Sequence, residues 1–252
     1  MSFEAKINAG SFKDSIESIS RLVDEIKLNI NQEGISSVSA DPANVAMVMF
    51  KLKKEGFEEF HVDEEMTIGF DLNRLEDILS VASMGDEIEM QSEEGNQLSI
   101  KVSGFDYKIS LLDPSTIQQE PKVPDLDLPA RIVLEGNKIR KAVRASEKVS
   151  DYLVFSTKDD KFIITAEGDN DSVKMELDES QLINIETSED VRSIFSLDYL
   201  ADMSKSIKKA SETKIRLGTD YPVKINFNIV DENGEVEYLL APRIESESTT
   251  SP

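Results

Sequence analysis

Apolar residues along this chain fall into two rhythms. Short runs alternate apolar and polar positions, the period of a strand with one buried face; elsewhere apolar residues recur every three or four positions, the period of a helix. In the first half, Lys6-Ile7-Asn8-Ala9 reads as a short strand. Ser11 is positioned to cap a helix from about 12 to 25, with Phe12, Ile16, Ile19, Val23 and Ile26 on one face. Strands are expected at about 26–31, 34–39, 45–51 and 58–62, a second helix at about 72–82, and strands again at about 86–91, 97–102 and 105–112. Turn residues such as Glu93-Glu94-Gly95-Asn96 and Asp231-Glu232-Asn233-Gly234 separate hairpins. Many short strands with few helices predict an α+β fold: antiparallel sheets with helices covering one face.

The pattern occurs twice, about 125 residues apart. Phe70-Asp71-Leu72-Asn73-Arg74-Leu75-Glu76-Asp77-Ile78 matches Phe195-Ser196-Leu197-Asp198-Tyr199-Leu200-Ala201-Asp202-Met203 in register. Ala5-Lys6-Ile7 with Gly10 matches Ala130-Arg131-Ile132 with Gly136, and Leu28-Asn29-Ile30 matches Leu153-Val154-Phe155. Glu87-Ile88-Glu89-Met90 resembles Lys214-Ile215-Arg216-Leu217. Between the copies, 113–129 holds four prolines and no helical period, which predicts an extended linker. Its Val123, Leu126 and Leu128 are more apolar than a bare spacer needs. The expected organisation is a domain at 1–114, a linker at 115–130, a second domain at 131–245 and a disordered tail at 246–252.

Composition narrows the chemistry. The 252 residues include 28 Lys and Arg against 50 Asp and Glu, a net charge of −22, with no Cys and one His. Disulfides, zinc–thiolate sites and cysteine nucleophiles are excluded. The 39% of hydrophobic residues supports a real core. The first residues lack the basic start and apolar run of a signal peptide, and the longest apolar run, Val45–Phe50, is too short to cross a bilayer. The expectation is a soluble intracellular protein.

In so acidic a chain the informative question is where positive charge collects. The densest place is the first helix of the second half, expected over 137–150, with Lys138, Arg140, Lys141, Arg144 and Lys148 opposite an apolar side of Ile139, Ala142, Val143 and Val149. The second helix of that half carries Lys205, Lys208 and Lys209 opposite Leu200, Met203 and Ile207. The first half is weaker: Lys13, Arg21 and Arg74 are diluted by Asp14, Glu17, Glu76 and Asp77. One basic helix is an ordinary solvated face; two at equivalent positions of a repeat, on a body of −22, favour a polyanion at that surface.

These features coincide with family signatures: Asp41 followed by Val45-Ala46-Met47-Val48, Glu55-Gly56-Phe57, Leu111-Leu112-Asp113 before the linker, and Tyr238-Leu239-Leu240-Ala241-Pro242-Arg243-Ile244-Glu245 near the end. With the duplication, they make the chain resemble the archaeal and eukaryotic sliding clamp family, proliferating cell nuclear antigen, from Phe3 to Ile244. The resemblance implies a duplicated clamp fold and a homotrimeric ring, with antiparallel sheets outside and two helices per domain facing the hole. It implies no catalysis and no cofactor or metal. Such a ring encircles duplex DNA without reading sequence, and serves as polymerase processivity factor and docking platform for replication and repair enzymes. The absent cysteine and short acidic form are more like archaeal members, so the expected place is the cytoplasm, at the nucleoid, or the nucleus were the source eukaryotic.

By family position, Lys13, Arg21, Arg74, Lys138, Lys141, Arg144, Lys148, Lys205, Lys208 and Lys209 are the DNA-facing candidates. Asp14, Asp77 and Ser80 stand where eukaryotic relatives often have lysine, so the second half is expected to carry more of the DNA contact. Ring closure is assigned by resemblance to two strand edges, Tyr107-Lys108-Ile109-Ser110-Leu111 and the neighbour's Val173-Lys174-Met175-Glu176-Leu177. DNA polymerase, clamp loader, flap endonuclease and DNA ligase are the implied partners, docking through Gln-led peptides ending in paired aromatics. The matching pocket positions are Ala40, Val45, Met47, Val123, Leu126, Leu239, Leu240, Ala241 and Pro242, several of which read equally well as strand core.

Other signals are weaker. Asp169-Asn170-Asp171 lacks the rest of a calcium loop and reads as a polar hairpin tip. His61 has no evident partner set and reads as a surface residue. The rival functions are a clamp-fold subunit of a heterotrimer, a monomeric processivity factor and, more remotely, a carboxylate-dependent metal hydrolase.

Overall fold

The computed structural model describes residues 2–93 and 96–244, so the centre of the expected turn at 93–96 and the expected disordered tail lie outside the described residues. Packing divides the chain into two units. One runs to Pro124 and also takes in Asn226–Tyr238; the other comprises Asp125–Ile225 and the chain from Leu239. The division thus falls inside the proline-rich segment, and a late hairpin belongs with the first unit.

The first copy of the repeat runs β1 (Phe3–Asn8), α1 (Ala9–Ser20), β2 (Glu25–Asn31), β3 (Gly34–Ala40), β4 (Ala46–Lys53), β5 (Glu59–Val62), β6 (Met66–Asp71), α2 (Leu72–Leu79), β7 (Glu87–Glu93), β8 (Gln97–Val102) and β9 (Phe105–Ser110). The second runs β10 (Ala130–Leu134), α3 (Gly136–Ser146), β11 (Tyr152–Lys158), β12 (Lys161–Glu167), β13 (Ser172–Leu177), β14 (Asn184–Thr187), β15 (Arg192–Ser196), α4 (Leu197–Ile207), β16 (Thr213–Leu217), β17 (Val223–Ile229) and β18 (Gly234–Leu240). The order of strands and helices is the same in both. The first copy forms a sheet β5-β1-β7-β8-β9 and a run β4-β3-β2-β6; the second forms β13-β12-β11-β15 and a run beginning β14-β10-β16-β17. Each strand of one copy has its counterpart nine strands later.

Strand alternation does what the sequence predicts. In β11 and β12, Leu153, Phe155, Phe162 and Ile164 are buried while their neighbours are not. Phe155 meets the ring of Phe162 at 5.4 Å and that of Phe195 at 5.6 Å, offset from face-to-face stacking. In the first unit Phe12, Ile16 and Ile19 of α1 and Leu72, Leu75 and Ile78 of α2 are buried. Tyr238, wholly buried, donates its hydroxyl to the Ser18 carbonyl at 2.6 Å and so ties the late hairpin to α1.

Several boundaries differ from the sequence reading. Helix α1 begins at Ala9, because the Asn8 side chain accepts the Ser11 N–H at 3.1 Å and is the cap in place of Ser11; it ends at Ser20, leaving Val23 and Ile26 to the turn and β2. Helix α2 is capped by Asp71, which accepts the Arg74 N–H, and stops at Leu79. β6 alternates Ile68 and Phe70 inward and was hidden because Phe70-Asp71-Leu72 also reads as a helix start. Helices α3 and α4 stop at Ser146 and Ile207, so Lys148, Lys208 and Lys209 sit just past helix ends. The linker is not extended throughout. It opens with a turn in which Asp113 accepts the Ser115 N–H at 2.9 Å, and buries Ile117 against Gly69. Asp169–Asp171 form the β12–β13 hairpin tip, with Gly168 N–H donating to the Asp171 carbonyl at 2.9 Å.

Candidate nucleic-acid interface and partner surfaces

Helices α3 and α4 lie side by side, with Ile139, Ala142 and Val143 of the first and Leu197, Leu200, Met203 and Ile207 of the second buried. They are held very close: a Cβ on Gly136 would lie 1.9 Å from the Ile207 carbonyl oxygen. Arg140 is turned inward, donating to Ser204 Oγ at 3.0 Å and lying 3.5 Å from Glu147. It braces the pair, and for that reason it is not available to a ligand as its neighbours are. Outward stand Lys141, Arg144, Lys148 and Lys208, all exposed. Among the described residues these four make no salt bridge. Lys138 bonds the Gln181 carbonyl, and Lys205 pairs with Asp202 at 2.6 Å.

The α1–α2 pair is disposed differently. Lys13 is held by the Ala82 carbonyl, Arg21 is paired with Glu17, and the Ser20 hydroxyl bonds Glu76. Arg74 is exposed without a salt bridge among the described residues. The ten cations chosen from sequence therefore separate into five that face solvent unpaired or nearly so and five already engaged, Lys209 among the latter.

The partner-pocket positions fall in both units. In the first, Ala40 is buried and helps line a cavity of about 240 Å³ with Val23, Glu25, Pro42, Ile117 and Gln119. Val45 and Met47 are half-buried and Val123 is exposed. The loop that leads to Val45 is built on Asp41, whose carboxylate accepts the N–H groups of Ala43, Val45 and Ala46 at 3.0, 2.7 and 2.7 Å. In the second unit Leu126, Ala241 and Pro242 are half-buried, but Leu239 and Leu240 are fully buried and belong to the core. Arg243 donates its N–H to the Ile194 carbonyl at 2.7 Å and lays its guanidinium 3.9 Å over the Tyr152 ring. Tyr221, absent from the sequence choice, is 53% exposed in the turn after β16, where Ser193 Oγ donates to the Gly218 carbonyl at 2.7 Å. Only its solvent-facing aromatic ring marks it, which no periodicity reveals.

β9 and β13 are both terminal strands of their sheets. In each, the side chains toward one face are apolar and partly covered: Tyr107 and Ile109 in β9, Val173, Met175 and Leu177 in β13. On the other face of β13, Glu176 meets Lys161 at 2.7 Å and Lys174 at 2.8 Å, and these ammonium groups hold its carboxyl down to about 2.

His61 does have a partner, Asp63, at 3.1 Å; the spacing of two along β5 and its exit hid it. Asp63 also takes the Ser2 hydroxyl at 2.6 Å. The carboxylate bonds both serine and imidazole, and the trio lacks the serine–imidazole–carboxylate order that nucleophilic catalysis needs.

Comparison with known proteins agrees with this geometry. The model of the proliferating cell nuclear antigen N-terminal domain matches residues 2–114, and that of the C-terminal domain matches residues 122–243. A DNA polymerase sliding clamp of Methanococcoides burtonii is 49% identical over 246 residues, covering 97% of this chain and 100% of that protein. One of Methanocella arvoryzae is 50% identical over the same length and coverage. Among solved structures, the C-terminal region of FEN-1 bound to A. fulgidus PCNA superposes with a TM-score of 0.93 at 39% identity, covering 97% of this chain and 100% of that one.

Proposed function

The chain belongs to the proliferating cell nuclear antigen family of DNA sliding clamps, and from that premise we propose that it works as a homotrimeric ring threaded on duplex DNA. The observation that carries the ring is the strand order. Within the first unit, the Gly234–Tyr238 part of β18 lies beside β4. In the repeat, β18 is the counterpart of β9, and β4 the counterpart of β13. The chain therefore contains one pairing of these two strand types and leaves one strand of each type at an edge. Repeating the pairing between chains, β9 on the next copy's β13, is a head-to-tail contact that closes into a ring.

The mechanism is topological. A closed ring stays on DNA without binding it tightly, and exposed cations of the helices meet phosphates without reading bases. Contact of this kind is sequence-independent, weakened by salt and permissive of sliding. The chain itself performs no chemical step; it tethers enzymes that do. Replication and repair enzymes are proposed to dock by aromatic-ended peptides, with Val45, Met47, Val123, Leu126, Ala241 and Pro242 as the candidate contact residues by family position. Met47→Ala tests this better than Leu240→Ala, since Leu240 is core; unchanged affinity for a Gln-led peptide would remove Met47 from the site. An archaeal cytoplasm, at the nucleoid, is the proposed location.

Light scattering across a dilution series tests the assembly. A ring has a mass of about 85 kDa, three times the 28.2 kDa of one chain. A mass of one chain at every concentration would turn the reading to a heterotrimer subunit or a monomeric factor.

A further inference from the structure

The two helix pairs occupy equivalent places in the repeat but carry opposite balances of charge. Counted through Lys148 and Lys209, α3 and α4 bear eight basic side chains against three acidic. Counted through Arg21 and Ser80, α1 and α2 bear three basic against four acidic. Lys13 is tethered by the Ala82 carbonyl and Arg21 is paired with Glu17, which leaves Arg74 as the exposed cation of that pair. A cation already paired with a carboxylate of its own protein, as Arg21 is, adds little to the electrostatic attraction for DNA.

We propose that DNA contact is borne by α3 and α4, and that Glu76 and Asp77 make the α2 face a phosphate-repelling sector that caps the ring's affinity for DNA. This rests on the sliding-clamp reading. Its physical content is that the acidic residues are not merely missing lysines. Each one close to a phosphate opposes the attraction supplied by the basic helices, and the ring is held loosely as a result.

The inference predicts a gain of affinity, which loss of folding cannot imitate. The test is fluorescence anisotropy of a labelled duplex with wild-type protein, with Glu76→Lys/Asp77→Lys, and with Glu64→Lys/Glu65→Lys, across a salt series. The last pair changes net charge equally, but in the exposed β5–β6 turn, separated from α2 by the length of β6, about 20 Å. The Glu76/Asp77 variant is expected to bind at least about ten-fold tighter at low salt, with a log–log salt slope steeper by roughly 1 for each phosphate newly met. The Glu64/Glu65 variant should change affinity less than about two-fold. Replacing Lys141, Arg144 and Lys148 with Glu should lose far more affinity than replacing Lys13 and Arg74. Light scattering on each variant verifies the assembly. If wild-type protein binds and the two lysine-gain variants tighten equally, or neither does, the inference is overturned. If wild-type protein neither assembles nor binds duplex, the clamp reading itself fails.

Discussion

Asp41 is almost wholly buried, and its carboxylate accepts three backbone N–H groups of the loop that carries Val45. Charge-assisted bonds to otherwise unpaired amides are the strong kind. Asp41→Ala is expected to lower unfolding free energy by about 2–4 kcal/mol, read by chemical denaturation, and Asn should recover part of it. At Glu176 the argument concerns pH. Its carboxyl is held at about 2, below the 4.5 of an unperturbed group, by Lys161 and Lys174. A depressed folded-state value contributes stability that is full above 4.5 and fades as pH falls from 4.5 toward 2. Glu176→Gln should therefore differ from wild type in thermal midpoint at neutral pH and converge with it near pH 2. A Glu176 carboxyl titrating near 4.5 by NMR would show that the two ammonium groups do not act on it.

At the scale of elements, the closeness of α3 and α4 depends on a missing side chain. With a Cβ 1.9 Å from the Ile207 oxygen, Gly136→Ala cannot be relieved by a rotamer change; backbone must move. We expect a loss of about 1–3 kcal/mol in unfolding free energy. Because Arg140 spans the same gap to Ser204, weaker duplex binding should accompany it. Normal stability in the Ala variant would mean that the helices separate without cost. The repeat marks Gly136 only as the partner of Gly10; the backbone contact that requires glycine is a matter of packing.

At the scale of the molecule, closure of the ring and attachment to DNA should respond oppositely to salt. Each chain brings −22 to the assembly, so screening should favour association of copies while it weakens phosphate contact. Tyr107→Asp with Met175→Asp places charge on the apolar side of both edge strands, and should shift the mass from about 85 kDa to 28.2 kDa with unchanged far-UV circular dichroism. A trimer persisting in that variant would mean that the copies meet elsewhere.

Much was legible in the sequence alone. Period, duplication and the position of basic residues depend on order along the chain, and so fixed the α+β class, the repeat and the basic face of α3. Short-range competition was less legible: Asn8 and Ser11 can both cap a helix, and only the turn of the chain after β1 selects Asn8. Tertiary structure alone decided which side chains remain free. Lys13 and Lys141 are equally cationic in sequence, but a carbonyl 69 residues away engages the first. Leu240 and Tyr221 divide likewise, into core and surface, because burial is set by what folds over a residue rather than by its type. Edge strands belong to the same class: the alternation within β9 does not say whether a strand lies beside it, and only the sheet's strand order leaves β9 at an edge.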